Sequence, residues 1–461
     1  MSKRIVIVGN GPAGITAASA ARIADRTAEI TVVDTKDYDT YHPCAMPFVI
    51  GKYLPSIDNI IEDLNYGMLK VTLHKSSIVD NVDTDAKKVF VKNIKTKEEL
   101  VLEYDNLILC IGSYVFIPPI PGKDLGNIFT LKFAEDAEAI KQAALKKGVE
   151  KITVVGGSAI GIEVASELSH LGKEVTIIEM QTQLMPFRIS KAFAQIVEKN
   201  LTETGVIIKT DMMVKKIEGD KVVKQITYGK DDLVETIDAD LVVLATGVRP
   251  QINLATKIGV KTHEKLRAIE VNEKMETSIP GIFAAGDCVT VKNIVTKDNS
   301  LAMFAGPAAR QARVAGTNAA GGNLSYPGTV MAYIVSSRTF YFGAVGINEE
   351  QAKDLGIETV TGKVTAPIRP HYMPNSKEIT LKLIANADDG KILGVEVVGE
   401  EKVDVNINYV AIALQAGFTV YDIMNTDFCY APAVSETIYP IVKSADSIVR
   451  KIERKKAKAN K

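Results

Sequence analysis

The sequence has no surplus of either charge: 55 lysines and arginines stand against 56 aspartates and glutamates, for a formal net charge of −1. That balance removes the long-range attraction on which a nucleic acid or an anionic membrane partner would depend. No apolar run reaches the roughly 18 residues of a membrane span. The opening MSKRIVIVGN enters a strand pattern at once, without the charged, apolar and cleavage regions of a signal peptide. A soluble, unprocessed, cytoplasmic chain is expected. Cysteine is scarce, and Cys44, Cys110, Cys288 and Cys429 form no C-x-x-C pair. Neither a metal site nor a disulfide framework is expected, and each thiol counts as a small buried hydrophobe until its setting says otherwise.

What is present is length and repetition. The 461 residues, 46% of them hydrophobic, suffice for two or three domains. Two segments share one plan of β-branched strand, glycine-rich turn, alanine-rich helix and second strand ending in an acid. IVIVGNGPAGITAASAARI leads to ITVVDT, and ITVVGGSAIGIEVASELSHLG leads to VTIIEM. From about residue 325 the glycine turns thin out, and strands such as ITLKLIA and ILGVEVVG accompany a helix around VNINYVAIALQAG. That change of pattern predicts a separate α+β domain. The final VRKIERKKAKANK reads as a basic, solvated tail, most simply the frayed end of a helix.

In the first unit Gly9, Gly11 and Gly14 give G-x-G-x-x-G directly after the strand Ile5 to Val8, with Pro12 and Ala13 between the second and third glycines. Gly9 serves the tight turn, Gly11 lets the backbone approach a pyrophosphate, and Gly14 lets helix pack on strand. The helix start then offers free N–H groups to the phosphates. Asp34 ends the next strand, where a carboxylate accepts from a ribose diol. The second unit reads Gly156-Gly157-Ser158-Ala159-Ile160-Gly161, with Ser158 at the middle glycine position and a hydroxyl able to donate to a phosphate. Glu179 ends its second strand, and Met180 and Gln181 bring no positive charge for a 2′-phosphate, which favours NADH over NADPH. Two dinucleotides in one chain have a simple chemical reason, which is hydride transfer from a nicotinamide to a flavin.

With these turns stand Ala245-Thr246-Gly247, Arg249-Pro250 and Gly281-Ile282-Phe283-Ala284-Ala285-Gly286-Asp287. Together they make the chain resemble, over nearly its whole length, the pyridine nucleotide-disulfide oxidoreductases. The resemblance implies two Rossmann-like α/β domains, for FAD and NAD, and a C-terminal α+β dimerisation domain. The expected division is 1–118 and 246–325 for FAD, 119–245 for NAD, 326–450 for dimerisation and 451–461 for the tail. It further implies that Asp287 holds the ribityl or phosphate part of FAD. Leu109-Cys110-Ile111-Gly112-Ser113 stands where relatives have an A-T-G turn, so Cys110 and Gly112 fall beside the cofactor, with Cys110 a packing substitution.

Two-cysteine relatives carry C-x-x-x-x-C after the first unit, whereas Tyr41-His42-Pro43-Cys44-Ala45-Met46-Pro47-Phe48 has one cysteine. It resembles the single-cysteine branch, which contains coenzyme A-disulfide reductases, coenzyme A-dependent sulfur or persulfide reductases, and NADH oxidases and peroxidases. One thiol suffices if it cycles through a mixed disulfide with a small thiol such as coenzyme A, or through a sulfenic acid. Either role needs a thiolate, helped by a helix start or a cation, and His42 is a candidate helper. By the same resemblance Tyr430, in Asp427-Phe428-Cys429-Tyr430-Ala431-Pro432, and Tyr372 donate to the departing thiolate from the other subunit of a homodimer. Arg22, Lys70 and Arg310 are candidates for the coenzyme A phosphates. Pro12 stands where the oxidases and peroxidases place a histidine, which weighs against peroxide handling. No rhodanese-like extension is expected after residue 461.

The leading expectation is an NADH-dependent reductase of coenzyme A disulfide, or of a related disulfide or persulfide. One alternative keeps the enzyme class and makes oxygen or peroxide the acceptor. The other makes the chain the flavin electron-transfer subunit of a larger complex.

Overall fold

A computed structural model describes residues 2–64 and 66–459. The first of two parallel five-stranded sheets has the order Ile282–Ala284, Asn106–Leu109, Arg4–Val8, Glu29–Val33, Val71–His74. Its central strands are covered on both faces, which is why they read as unbroken β-branched runs instead of alternating with polar residues. Helices Pro12–Ala24 and Ala305–Ala319 pack closely together. They approach so nearly that a side chain at Gly316 would lie 2.2 Å from the Ala17 carbonyl oxygen.

The second sheet repeats the plan in the order Ile128–Phe129, Leu241–Leu244, Lys151–Val155, Glu174–Ile178, Val206–Lys209. Each unit also carries a three-stranded antiparallel sheet, Ser77–Asp83 with Lys88–Asn93 and Glu99–Glu103 in one, Met213–Gly219 with Val223–Lys230 and Leu233–Asp238 in the other. Where the chain passes between the units, Ser113–Val115 pairs antiparallel with Val248–Pro250. The third region is an antiparallel sheet in the order Tyr333–Ser337, Phe340–Gly346, Ile392–Gly399, Glu378–Asn386, Thr359–Pro367, covered by helices Val403–Ala416 and Pro440–Ala459.

The expected basic end is helical and, from Glu453 to Lys458, exposed. The last helix runs through Ala459, so a boundary after residue 450 falls inside it. Ile452, 2% exposed, extends the buried stripe of Ile441, Ala445, Ile448 and Val449, and helical spacing thus carries the basic segment along the domain. Lys451 Nζ donates to the Thr361 carbonyl at 2.7 Å and Lys455 pairs with Glu358 at 2.8 Å. Asn460 and Lys461 lie outside the described residues.

Third domain and second unit share a core. Val335, Phe342, Ala344 and Val398 join Phe193, Val197 and Leu201 in one buried cluster. Beside it Glu396, 1% exposed, pairs with Lys382 at 2.9 Å and accepts from the Ser190 hydroxyl at 2.7 Å. A charge so deeply buried is tolerable only when paired in this way. Phe342→Ala is expected to cost about 3–5 kcal/mol by opening a cavity at this junction, measured as a lower urea midpoint with an unchanged denaturant slope.

Candidate active site

At the first turn Gly9 has φ +100°, and a Cβ there would lie 2.2 Å from the Cys110 carbonyl oxygen, while one at Gly14 would lie 1.9 Å from that of Gly9. Gly11 differs: a Cβ there meets no atom within 4 Å. The outer glycines thus close strand against helix, and the middle one borders open space at the start of the helix. Pro12 takes the first helical position, where no N–H is needed, and Ala13 is buried behind it, 3.1 Å from the Cβ position of Gly286. Asp34, 8% exposed, accepts from the Asn10 and Lys36 backbone N–H groups and pairs with the Lys36 ammonium at 2.7 Å. Cys110 is buried under Gly9, and burial drives its thiol pKa well up. Gly112, at φ +68°, has open space where its side chain would be. Asp287 accepts from the Ser113 hydroxyl at 2.8 Å, and Ser113 accepts from the Lys132 ammonium at 2.8 Å. Free helix N–H groups beside a side-chain-free gap, flanked by carboxylates for hydroxyl groups, fit an adenine dinucleotide such as FAD.

The second turn repeats the contacts. Cβ atoms at Gly156, φ +111°, and Gly161 would lie 2.4 Å from the Ala245 and 2.0 Å from the Gly156 carbonyl oxygens. Gly157 is closed by Leu184, at 2.4 Å from its Cβ position. Ser158 caps the helix Ala159–His170: its hydroxyl oxygen accepts from Gly161 N–H at 3.5 Å and donates to the Ala245 carbonyl at 3.2 Å. The hydroxyl expected to face a phosphate is therefore already engaged. Ile160 lies partly buried on the first helical turn. Glu179, 6% exposed, accepts from Gly157 N–H at 2.6 Å and Gln181 N–H at 2.7 Å. Gly247, at φ +98°, has nothing within 4 Å of its Cβ position, and its carbonyl accepts from Phe116 N–H.

Cys44 lies on the short 3-10 turn Pro43–Ala45, which continues into the helix Met46–Ile50. Met46, Val49 and Ile50 leave the first unit to join the core of the second, and their helix packs on helices Ala134–Ala144 and Ala159–His170. Cys44 is an exposed residue at the border of the two units, with its thiol partly enclosed. Surrounding protein pushes its pKa up, followed by the charges of Glu163 and then Asp287. This corrects the expectation of a helper cation. His42, 62% exposed, faces Glu62 at 3.1 Å.

Glu163 and Lys132 were not singled out from sequence. Glu163 is largely enclosed, and burial lifts its carboxyl to about 7, against the opposing hydrogen bond from Ser336 N–H at 3.3 Å. One turn on, Glu167 is raised by burial and partly restored by Arg338 at 3.1 Å. Two acids four residues apart in the otherwise apolar AIGIEVASEL were the available signal. Lys132 is lowered by burial, with Asp287 opposing.

Tyr372 and Tyr430, 61% and 45% exposed, meet hydroxyl to hydroxyl at 3.2 Å on the third domain. Among the described residues no hydrogen bond joins them to Cys44. Arg22 is committed elsewhere, its guanidinium donating to the carbonyls of Leu69, Arg26, Ala28 and Lys70 at 2.8–2.9 Å. Lys70 and Arg310 are exposed. No cluster of three metal-ligating side chains occurs, and no helix is long and apolar enough to cross a membrane, among the described residues.

The family model for pyridine nucleotide-disulphide oxidoreductase matches residues 3–316, and the model for its dimerisation domain matches 336–440. The chain belongs to this family. It is an FAD- and NADH-dependent oxidoreductase of the single-cysteine kind. Over 98% of its length it is 36% identical to an NADH oxidase of Methanocaldococcus jannaschii, all of which is covered. It is 32% identical to an NAD(P)H sulfur oxidoreductase (CoA-dependent) of Pyrococcus abyssi, with 96% of this chain and 97% of the relative covered. A solved NAD-dependent persulfide reductase from A. fulgidus superposes with a TM-score of 0.93 at 33% identity, covering 98% of this chain and 84% of that one.

Two measurements check the site. Gly11→Ala, whose Cβ meets no protein atom within 4 Å, is expected to leave the apoprotein's melting temperature unchanged and to weaken FAD binding by about tenfold, read by flavin fluorescence. Glu163 is expected to make stability pH-dependent. Its folded pKa of about 7 exceeds the ordinary 4.5, so the native state holds the proton more tightly. The destabilisation is absent below the lower value, grows as pH rises between the two and is complete above the higher. Calorimetry of the flavin-free protein should show that loss, and Glu163→Gln should flatten it.

Proposed function

We propose that the chain reduces coenzyme A disulfide, or a related disulfide or persulfide, with NADH, through Cys44, as a cytoplasmic homodimer. The carrying observation is the setting of Cys44: an exposed cysteine on the segment that leaves the flavin unit and buries Met46, Val49 and Ile50 in the nicotinamide unit. The coenzyme A-dependent names of the Pyrococcus relatives support the acceptor class. The homodimer is supported by the match to the dimerisation-domain model.

Bound FAD supplies the two-electron carrier between the nicotinamide and the sulfur. Gly9, Gly11, Gly14, Asp34, Gly112 and Asp287 would hold it, and Gly156, Gly161 and Glu179 would hold NADH. The Cys44 thiolate attacks R–S–S–R and breaks its S–S bond; the first R–S⁻ leaves and takes up a proton as R–SH, and Cys44 keeps the other half as Cys44–S–S–R. Two electrons and two protons break that S–S bond, giving the Cys44 thiol and free R–SH. Overall NADH, one proton and R–S–S–R give NAD⁺ and two R–SH. Tyr430 of the partner subunit, paired with its Tyr372, stands as the proton donor to the leaving thiolate. Burial holds the Glu163 carboxyl near neutrality, so at about pH 7 it carries only part of a charge beside the sulfur.

An oxygen-reducing reading is favoured by one observation, the NADH oxidase name of the Methanocaldococcus relative. In that case the thiol would cycle through a sulfenic acid. Cys44→Ser is expected to lower NADH-dependent coenzyme A disulfide reduction by about a hundredfold or more while the flavin still bleaches with NADH. Unchanged turnover would end the proposal. Mass spectrometry of the purified protein separates the readings, since a coenzyme A adduct on Cys44 supports the first and a sulfenic acid the second.

A further inference from the structure

Residues 425–439 join the helix Val420–Met424 to the helix Pro440–Ala459 and include no helix or strand. A connection of this length has many conformations available, yet it must present Tyr430 in one place. Its internal bonds are local: Phe428 N–H donates to the Thr426 carbonyl at 3.1 Å, and Val434 and Ser435 N–H donate to that of Ala431 at 2.9 and 3.0 Å. These curl the segment without tying it to the body of the domain. The attachment is aromatic. The Phe428 ring lies 4.8 Å from that of Tyr439, inclined by 24°, and 5.2 Å from that of Tyr409 on the helix Val403–Ala416. Tyr439 then adds a directional bond, its hydroxyl donating to the Cys429 carbonyl oxygen at 2.9 Å. That carbonyl belongs to the peptide unit that carries the Tyr430 nitrogen. The bond therefore fixes the plane from which Tyr430 leaves the backbone toward Tyr372.

The geometry points to Tyr439 as a positioning residue, whose hydroxyl acts through the Cys429 carbonyl to set where the Tyr430 hydroxyl stands. The assignment rests on the reading above, in which Tyr430 protonates the leaving thiolate at the partner's Cys44. Tyr439 touches neither substrate nor cofactor in this scheme. In Tyr439→Phe the ring stack with Phe428 is retained. The Tyr439 hydroxyl also bonds that of Tyr409, so the variant frees two groups, the Cys429 carbonyl on an exposed residue and the half-buried Tyr409 hydroxyl, and with water in exchange the fold loses little. Tyr430 loses its fixed origin, and a proton donor displaced by even about 1 Å gives up much of its rate advantage.

The test uses the FAD-loaded dimer with coenzyme A disulfide as the acceptor, comparing wild type, Tyr439→Phe, Tyr430→Phe and the double variant. Tyr439→Phe is expected to lower kcat about tenfold. Its melting temperature, its flavin content and the rate at which NADH bleaches the flavin should stay at wild-type values. The double variant should match Tyr430→Phe alone, because the hydroxyl at 439 has nothing left to position. Wild-type kcat in Tyr439→Phe, or losses that multiply in the double variant, would overturn the assignment, as would a lower melting temperature or flavin content. A wild-type enzyme inert toward coenzyme A disulfide, or a Tyr430→Phe variant as fast as wild type, would instead overturn the reading beneath it.

Discussion

Two backbone contacts fix everything else in this molecule. At Gly9 a side chain would lie 2.2 Å from the Cys110 carbonyl oxygen, and at Gly156 it would lie 2.4 Å from that of Ala245. Each contact lets the strand that precedes the turn run against a neighbouring strand while the chain reverses into a helix. The second contact of each turn, Gly14 on Gly9 and Gly161 on Gly156, then seats the helix start on the turn. Only a residue without Cβ allows either approach, and both turn glycines also sit at positive φ, where a side chain is strained. The outcome is two strand-turn-helix units: at the first, Gly11 borders open space at the helix start, and at the second Ser158 caps the helix start and Leu184 closes over Gly157.

The sulfur chemistry depends on the border between those units. The segment that bears Cys44 begins in the first unit and buries Met46, Val49 and Ile50 in the second. The thiol therefore belongs to neither sheet and answers to charges from both. Burial first, then the charges of Glu163 and Asp287, raise the pKa of the unliganded thiol. Glu163, lifted to about 7, softens that repulsion whenever it carries a proton.

Much of this was legible in the residue order. The glycine spacing, the β-branched strands and the terminal acids Asp34 and Glu179 are local patterns, and local patterns survive folding. Other features needed the tertiary structure. Lys132 is distant in sequence from Asp287, and only the fold links them through Ser113. Arg22 read as a free cation, but the turn around Leu69 and Lys70 folds back and consumes its donors. The basic end of the chain read as a solvated helix end, and its charges hid one apolar position, Ile452, that keeps helical register with Ile441, Ala445 and Ile448. Ser158 read as a phosphate donor, and only the placement of Ala245 reveals its second partner.

The third domain is more than a dimerisation surface added to two nucleotide units. Phe342 and Val398 from its sheet enter the core that also holds Phe193 and Leu201, and the Lys382–Glu396 pair meets Ser190 across the same junction. Close-packed cores transmit displacement instead of absorbing it. A tyrosine pair anchored on that domain is therefore held in a fixed relation to the unit that admits the nicotinamide. In a two-fold dimer each chain's tyrosines would then approach the partner's sulfur from a segment that Phe428 and Tyr439 hold to the domain. A single thiol needs this arrangement: with no second cysteine to receive the electrons, the leaving group must meet its proton donor where the S–S bond breaks.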